Sequence, residues 1–416
     1  MQVDLIVESI GQLLTLQGPA RARAGHEMSD LGMVTNGALA IKDGTIEAVG
    51  TTEEIHNQYT ADTVINASGK VVMPGFVDPH THVVFMHTRE NEFEMRIQGK
   101  TYVEISQAGG GIRSSIQAVR DASEDELYRR ARKRVKAMIA CGTTTLESKS
   151  GYGLSTESEL KMLRVNRRLQ EDLPVEIVST FLGAHEFPIE YKDTRQAYIE
   201  ILKHEMMPRV KEEGLAEYCD IFTEAHVYTV EQSREVMEVA KNLGFKLRFH
   251  ADEIEPIGGA ELAAELGAVS ADHLGACSDA GIAAMRDAGT IATLLPGTIF
   301  SLGMKHYARA RDMIAAGLPV ALATDFNPGS CNCDSMAFVI SLACVQMRMT
   351  PAEAICAATI NAAYALERGD RIGSLEAGKQ ADFLIMDMPG YQYIPYHIGS
   401  SAVETVYKKG QKIWQK

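Results

Sequence analysis

Positive charge is the scarcest commodity in this chain: 41 lysines and arginines face 55 aspartates and glutamates, a formal net charge of −14. A nucleic-acid or anionic-membrane binder needs a concentrated basic surface, so both classes are excluded. An anionic ligand must instead meet locally placed arginines. Long apolar runs are also missing. The nearest, Ser335 to Met347, is too short for a membrane span, and Met1-Gln2-Val3-Asp4 lacks the basic start of a leader. The expectation is a cytoplasmic protein. Its seven cysteines are odd in number and follow no framework spacing, which suits a reducing compartment. Cys331-Asn332-Cys333 has one intervening residue and no second cysteine pair, so it reads as a packed loop rather than a soft-metal site. Low-complexity segments and repeats are absent.

What remains is an ordinary globular composition, 45% apolar and 23% charged over 416 residues. That length suits one barrel-sized unit with a smaller companion. Up to about Val72 the sequence reads as short strands and turns without a long helix, with Asp43-Gly44 marking a hairpin. Beyond Gly75, apolar strands alternate with amphipathic helices, the signature of a parallel sheet with crossover helices. Eight strands are expected: Val77 to Val83, Thr143 to Lys149, Val175 to Leu182, Cys219 to Glu224, Lys246 to Ala251, Val269 to His273, Ile291 to Leu295 and Val320 to Thr324. Eight favours a closed barrel over a doubly wound open sheet. Capping boxes are expected at Ser123/Glu126, Thr156/Glu159, Thr229/Gln232 and Thr350/Glu353. In the first of these helices Leu127, Ala131, Val135 and Met138 form an apolar stripe. Short strands return after Glu367, at Ala381 to Met386 and Thr405 to Gly410, so both termini are expected to build one small β domain.

The chemistry sits at strand ends. In Pro74-Gly75-Phe76-Val77-Asp78-Pro79-His80-Thr81-His82, two histidines one residue apart follow an apolar strand. Strand alternation would turn both to one side, where they can grip one metal ion. Alone this motif is weak. His250 ends another expected strand, with Glu253 three residues on; His273 ends the next and Asp325 the last. Singly, His273 reads as a hydrogen-bonded core residue and Asp325 as a helix cap. Together at the carboxyl ends of barrel strands, where barrel enzymes keep their chemistry, they point to a metal centre. A buried Asp325 is costly unless a cation or hydrogen bonds compensate it.

On these residues, and on Ile372-Gly373-Ser374-Leu375-Glu376-Ala377-Gly378-Lys379-Gln380-Ala381-Asp382 near the end, the chain resembles the amidohydrolase superfamily over almost its whole length. Glu147-Ser148-Lys149-Ser150-Gly151-Tyr152-Gly153, Phe181 to Glu186, His250-Ala251-Asp252-Glu253 and Thr324 to Ser330 resemble its ring-opening branch in histidine degradation. The resemblance implies an α/β fold, a TIM-like (β/α)8 barrel over 71–370 with a small β-sandwich domain from 1–70 and 371–416. It implies His80, His82, His250 and Asp325 as ligands of one divalent or trivalent metal ion per subunit, zinc or iron. Glu253 and His273 would then handle protons, with Asp325 as a further catalytic group. Many members bridge two metals through a fourth-strand lysine, but Cys219 to His226 contains none, so one ion is favoured.

The implied reaction is hydrolysis of the cyclic amide in a small substrate with an imidazolone ring and a carboxylate tail. Arg89, seven residues beyond His82, suits that tail, since arginine can grip a carboxylate through two hydrogen bonds. The resemblance adds Tyr102, Tyr152, His185, Glu253, Asn327, Gly329 and Ser330 as substrate contacts, and a homodimer as the assembly. Gly109-Gly110-Gly111 permits a mobile cover. Two rivals remain. A ring deaminase would use the same ligands but has no need of a tail-binding arginine, and a noncatalytic scaffold would tolerate loss of the ligands.

Overall fold

The computed structural model describes residues 1–100, 104 and 110–416. Tyr102 and Gly109 lie outside the described residues.

Among the described residues, sixteen strands fall into two sheets. In chain order, β1 (Gln2–Leu14), β2 (Met33–Lys42), β3 (Thr45–Thr51), β4 (Thr60–Asn66) and β5 (Val71–Pro74) precede the barrel strands. These are β6 (Phe76–Asp78), β7 (Thr143–Lys149), β8 (Glu176–Ala184), β9 (Tyr218–Thr223), β10 (Lys246–Ala251), β11 (Ser270–His273), β12 (Ile291–Leu294) and β13 (Val320–Leu322). The chain closes with β14 (Phe383–Met386), β15 (Val403–Lys408) and β16 (Gln411–Gln415). One sheet runs β16-β15-β14-β5-β1-β2-β3, with β4 beside β1, so the two ends of the chain share it. Asp43 and Gly44, at φ 50° and 75°, make the tight β2–β3 hairpin that Asp-Gly supports. Leu5, Val7, Ile10, Leu13, Leu39, Val72 and Phe383 form the apolar cluster behind it.

The other sheet is wholly parallel and runs β6 to β13 in sequence order, a nearly closed eight-stranded barrel. Its last seam is stitched just past the strands. Thr324 donates from its amide and hydroxyl to Asp78 at 3.1 and 2.6 Å. Beyond it the Asp325 amide reaches the His80 carbonyl at 3.1 Å, and the His82 amide the Phe326 carbonyl at 2.8 Å. Closure therefore occurs among the residues expected to hold metal.

Most strands fall within two residues of expectation, but the first is cut short. β6 ends at Asp78, not Val83, because Pro79 brings no amide hydrogen to a ladder and the backbone from His80 onward bonds to the 325–326 segment instead. His80 and His82 thus lie on a post-strand segment with one bridge at Thr81, rather than on a continuous strand. Three expected capping boxes form, at Ser123, Thr229 and Thr350. The fourth does not. Ser155 holds the cap position before Thr156 and makes no side-chain cap bond, while Glu159 turns back to accept from the amides of Gly151, Gly153 and Leu154 at 2.8–2.9 Å. A fully buried carboxylate takes three loop donors in preference to one cap. The stripe Leu127, Ala131, Val135 and Met138 is buried as expected, and the Ser335–Met347 run forms a helix from Met336. No helix among the described residues is long and apolar enough to cross a membrane.

Candidate metal and catalytic centre

At the carboxyl end of the barrel the histidines converge. The ring centres of His80 and His250 lie 4.5 Å apart, those of His80 and His82 5.5 Å, and those of His250 and His273 5.2 Å. Among the described residues, three overlapping triads have ligand atoms within 4.8 Å of one another: His80, His250 and His273; His82, His185 and His250; and His80, His82 and Asp325. His80, His82 and His250 each belong to two of them. Asp325 Oδ1 stands 3.6 Å from His80 Nε2 and 3.7 Å from His82 Nε2.

Carboxylates behind the rings aim them. His80 Nδ1 pairs with Asp272 at 2.6 Å, and His250 Nδ1 with Asp220 at 3.1 Å. Each bond occupies one ring nitrogen and leaves Nε2 for the centre, the usual device for orienting a metal-binding imidazole. Accordingly His80 Nε2 is buried without a hydrogen-bond partner; on His82, whose Nε2 faces Asp325, it is Nδ1 that has none. Orphaned buried nitrogens beside a buried carboxylate fit a cation. Burial holds both His80 and His82 well below the ordinary imidazole range, so they are neutral and able to ligate. Burial also pushes the Asp325 carboxyl up, against the pull of His273 and the Thr298 hydroxyl that donates to it at 2.5 Å.

The backbone is unusual here too. His273 and Asp325 have φ of 74° and 52°, and Asp252 and Leu274 48° and 60°. Non-glycine residues hold such angles at about 1–3 kcal/mol each, and typically at sites where direction matters. Asp252 offsets its own cost by accepting four amides, from Ile257, Gly258, Gly259 and Ala260, at 3.0–3.1 Å. That clamp fixes the turn carrying Glu253.

Glu253 Oε1 is 3.6 Å from His273 Nδ1. Burial raises the Glu253 carboxyl to about 7, opposed by His250 and helped by Glu224, while burial lowers His273 to about 4. A carboxyl able to take or give a proton near neutrality thus faces a neutral imidazole. Glu224, at the end of the fourth barrel strand, accepts the Ile254 amide at 2.9 Å and the Glu255 amide at 3.3 Å.

Tyr152 and His185 flank the histidines, with His185 stacked on His82 at 5.2 Å and Tyr152 5.6 Å from the same ring. Gly151 holds His185 through its carbonyl at 2.9 Å from Nδ1, and burial lowers His185 to about 3. Asn327 is occupied by its own turn: Oδ1 accepts from the Gly329 and Ser330 amides at 2.8 and 2.7 Å, and Nδ2 donates to the Ser330 hydroxyl at 2.8 Å. The turn brings Gly329 against the Arg89 guanidinium, where a Cβ would displace the end of that side chain. Arg89 also pairs with Glu92 at 2.9 Å, yet its buried Nε has no partner.

Several neighbours had no role in the sequence reading. Asp220 and Asp272 orient the rings, Thr298 holds Asp325, and Glu92 steadies Arg89. Arg96 donates to the Gly329 carbonyl at 3.2 Å. Beneath them lie Glu147, Lys149 and Arg248, all fully buried. Their signal was present, because charged residues inside parallel barrel strands break an expected apolar run.

The amidohydrolase family model matches residues 71–413. A protein named imidazolonepropionase from Alkaliphilus oremlandii is 46% identical over 418 residues, covering 100% of this chain and 99% of that one. Another of the same name from Geobacillus kaustophilus is 50% identical, covering 98% and 97%. In fold, the chain is similar to an adenosine deaminase from Xanthomonas campestris with bound zinc, at TM-score 0.72 and 18% identity, covering 99% and 93%.

Proposed function

Since this chain belongs to the amidohydrolase family, we propose that it hydrolyses the cyclic amide of 4-imidazolone-5-propanoate to N-formimidoyl-L-glutamate, a step of histidine degradation. The observation that carries this reading is the gathering of His80, His82, His250 and Asp325 at one barrel end, with the Glu253–His273 pair beside it. Relatives named imidazolonepropionase at 46% and 50% identity over nearly the full chain support the same reaction.

His80, His82, His250 and Asp325 would hold one metal ion, zinc or iron. Such an ion supplies an activated water and polarises the carbonyl under attack. The remaining steps belong to the chain. Arg89 takes the propanoate tail, with Glu92 and Gly329 fixing the guanidinium plane. Tyr152 and His185 border the ring. As the water oxygen bonds to the ring carbonyl carbon, Glu253 and Asp325 accept protons, and the neutral His273 donates a hydrogen bond to the oxygen gaining charge. Breaking the carbon–nitrogen bond requires a proton on the departing ring nitrogen, and Glu253 returns one there. The ring carbonyl ends as a carboxylate and the nitrogen as part of a formimidoyl group, so atoms and charge balance with one proton released.

Purified, metal-quantified protein should remove the ultraviolet absorbance of 4-imidazolone-5-propanoate. Unchanged absorbance with fully loaded protein contradicts the reading, and ammonia release from cytosine or guanine would favour a deaminase. A homodimer in the cytoplasm completes the proposal, and light scattering of the purified protein tests the dimer.

A further inference from the structure

The mechanism leaves one buried cation unused. Lys149 is wholly enclosed in β7, where an ammonium carries a heavy desolvation cost. It donates to Glu147 Oε1 at 2.7 Å, lies 2.8 Å from Asp220 Oδ2, and stands 3.8 Å from Asp272 Oδ2. Three strands meet at this one nitrogen. Two of the carboxylates are those that aim rings: Asp220 faces His250 Nδ1 at 3.1 Å, and Asp272 faces His80 Nδ1 at 2.6 Å. The third, Glu147, accepts the Thr81 amide at 3.2 Å, between the two histidines of the opening motif. Arg248 completes the layer. Its Nη2 donates to Asp272 at 3.1 Å and to the Pro79 carbonyl at 2.7 Å.

Two cations therefore face three carboxylates where water is excluded. Removing the ammonium would leave the three acids with one guanidinium, and their mutual repulsion would be relieved by rotation away from one another. Of the two that hold imidazoles, Asp220 lies closer to the ammonium, at 2.8 Å against 3.8 Å for Asp272. Arg248 cannot take over, since it lies on the Asp272 side and approaches Glu147 only to 4.0 Å.

We propose that Lys149 is a positioning residue that sets metal affinity, by holding Asp220 where it orients His250, while Asp272, 3.8 Å away, is held by Arg248 and Ser270. The proposal rests on the metal-centre reading above. It gives Lys149 a task distinct from a bridging ligand, because its nitrogen is already engaged by carboxylates.

Zinc binding to the metal-stripped full-length protein would be measured by competition with a chromophoric chelator, for the unmodified protein, Lys149→Met, Lys149→Arg, Asp220→Asn and the double variant Lys149→Met/Asp220→Asn. Lys149→Met should weaken zinc binding about 10- to 100-fold, the range for losing a ligand-orienting partner. Lys149→Arg should recover part of that loss, and the visible spectrum of the cobalt-loaded protein should change in Lys149→Met and move back in Lys149→Arg. If the lysine acts through Asp220, the double variant should bind no more weakly than Asp220→Asn alone. Folded Lys149→Met with unchanged zinc affinity overturns the proposal. Should Lys149→Met fail to fold, the charge-compensated double variant carries the test, and further loss relative to Asp220→Asn overturns it. Absence of zinc binding by the unmodified protein would instead defeat the metal-centre reading, and this proposal with it.

Discussion

Two buried aspartates at opposite ends of the barrel have opposite surroundings. Asp382, under the barrel where the terminal sheet packs, accepts from Lys408 Nζ at 2.7 Å, the Lys409 amide at 2.9 Å and Gln380 Nε2 at 2.8 Å. Lys408 in turn reaches Thr145 of β7 at 3.1 Å. Charge there is compensated, and the result is a fixed joint. Asp325, at the carboxyl end, has one side-chain donor, Thr298, and otherwise faces imidazoles across 3.6 and 3.7 Å. That end keeps unpartnered ring nitrogens and positive φ angles. The same side chain is a structural brace where its partners are complete and a chemical group where they are left open to a ligand.

The comparison can be broken by substitutions ranked by their effect on turnover. His80→Ala should lose the metal and about 10⁴-fold or more in activity, which elemental analysis and the absorbance assay would show together. Glu253→Gln should keep its metal yet lose about 10²- to 10⁴-fold in kcat, the range for a proton-transfer group; equal kcat would defeat the relay. Arg89→Ala should act mainly on KM, raising it about 10- to 100-fold, in keeping with about 1.5–3 kcal/mol for a charged hydrogen bond. Asp382→Ala should leave kcat per folded molecule unchanged while costing about 3–5 kcal/mol in denaturant unfolding, because it strands Lys408. A large kcat loss there would erase the distinction between the two ends.

Acidity sharpens it further. Glu253 is raised from 4.5 to about 7 by burial, so the folded chain binds its proton more tightly than the unfolded chain does. The stability this contributes is present below about pH 4.5 and lost as pH rises through about 7. In metal-stripped protein, Glu253→Gln should thus be more stable than the parent at pH 8, by roughly 3 kcal/mol at most, and close to it at pH 4. Thermal unfolding at the two pH values checks the sign. In kcat/KM, Glu253 as proton acceptor predicts an acid limb, with activity rising as the carboxyl loses its proton and a bound cation moving that limb below the metal-free value.

The barrel was legible because eight short strand runs, Thr143–Lys149 and Lys246–Ala251 among them, alternate with amphipathic helices along the sequence. The gathering of His80, His82, His250 and Asp325 was legible because each lies in, or at the end of, an expected barrel strand. Asp220, Lys149 and Arg248 acquired no role because their importance lies in pairs between strands, Lys149 with Asp220 and Arg248 with Asp272, 71 and 24 residues apart in sequence number, that no local pattern encodes. The Thr156 cap failed for a related reason. Three amides of the 151–154 loop outcompeted it for Glu159, and that loop's path is set by the barrel rather than by the helix.

Titrating zinc or iron into metal-stripped protein while following both bound metal and loss of imidazolone absorbance tests the central claim most directly. Activity should rise in proportion to bound metal and level off at one equivalent per chain. A plateau at two equivalents, or full activity in protein carrying no metal, would contradict it.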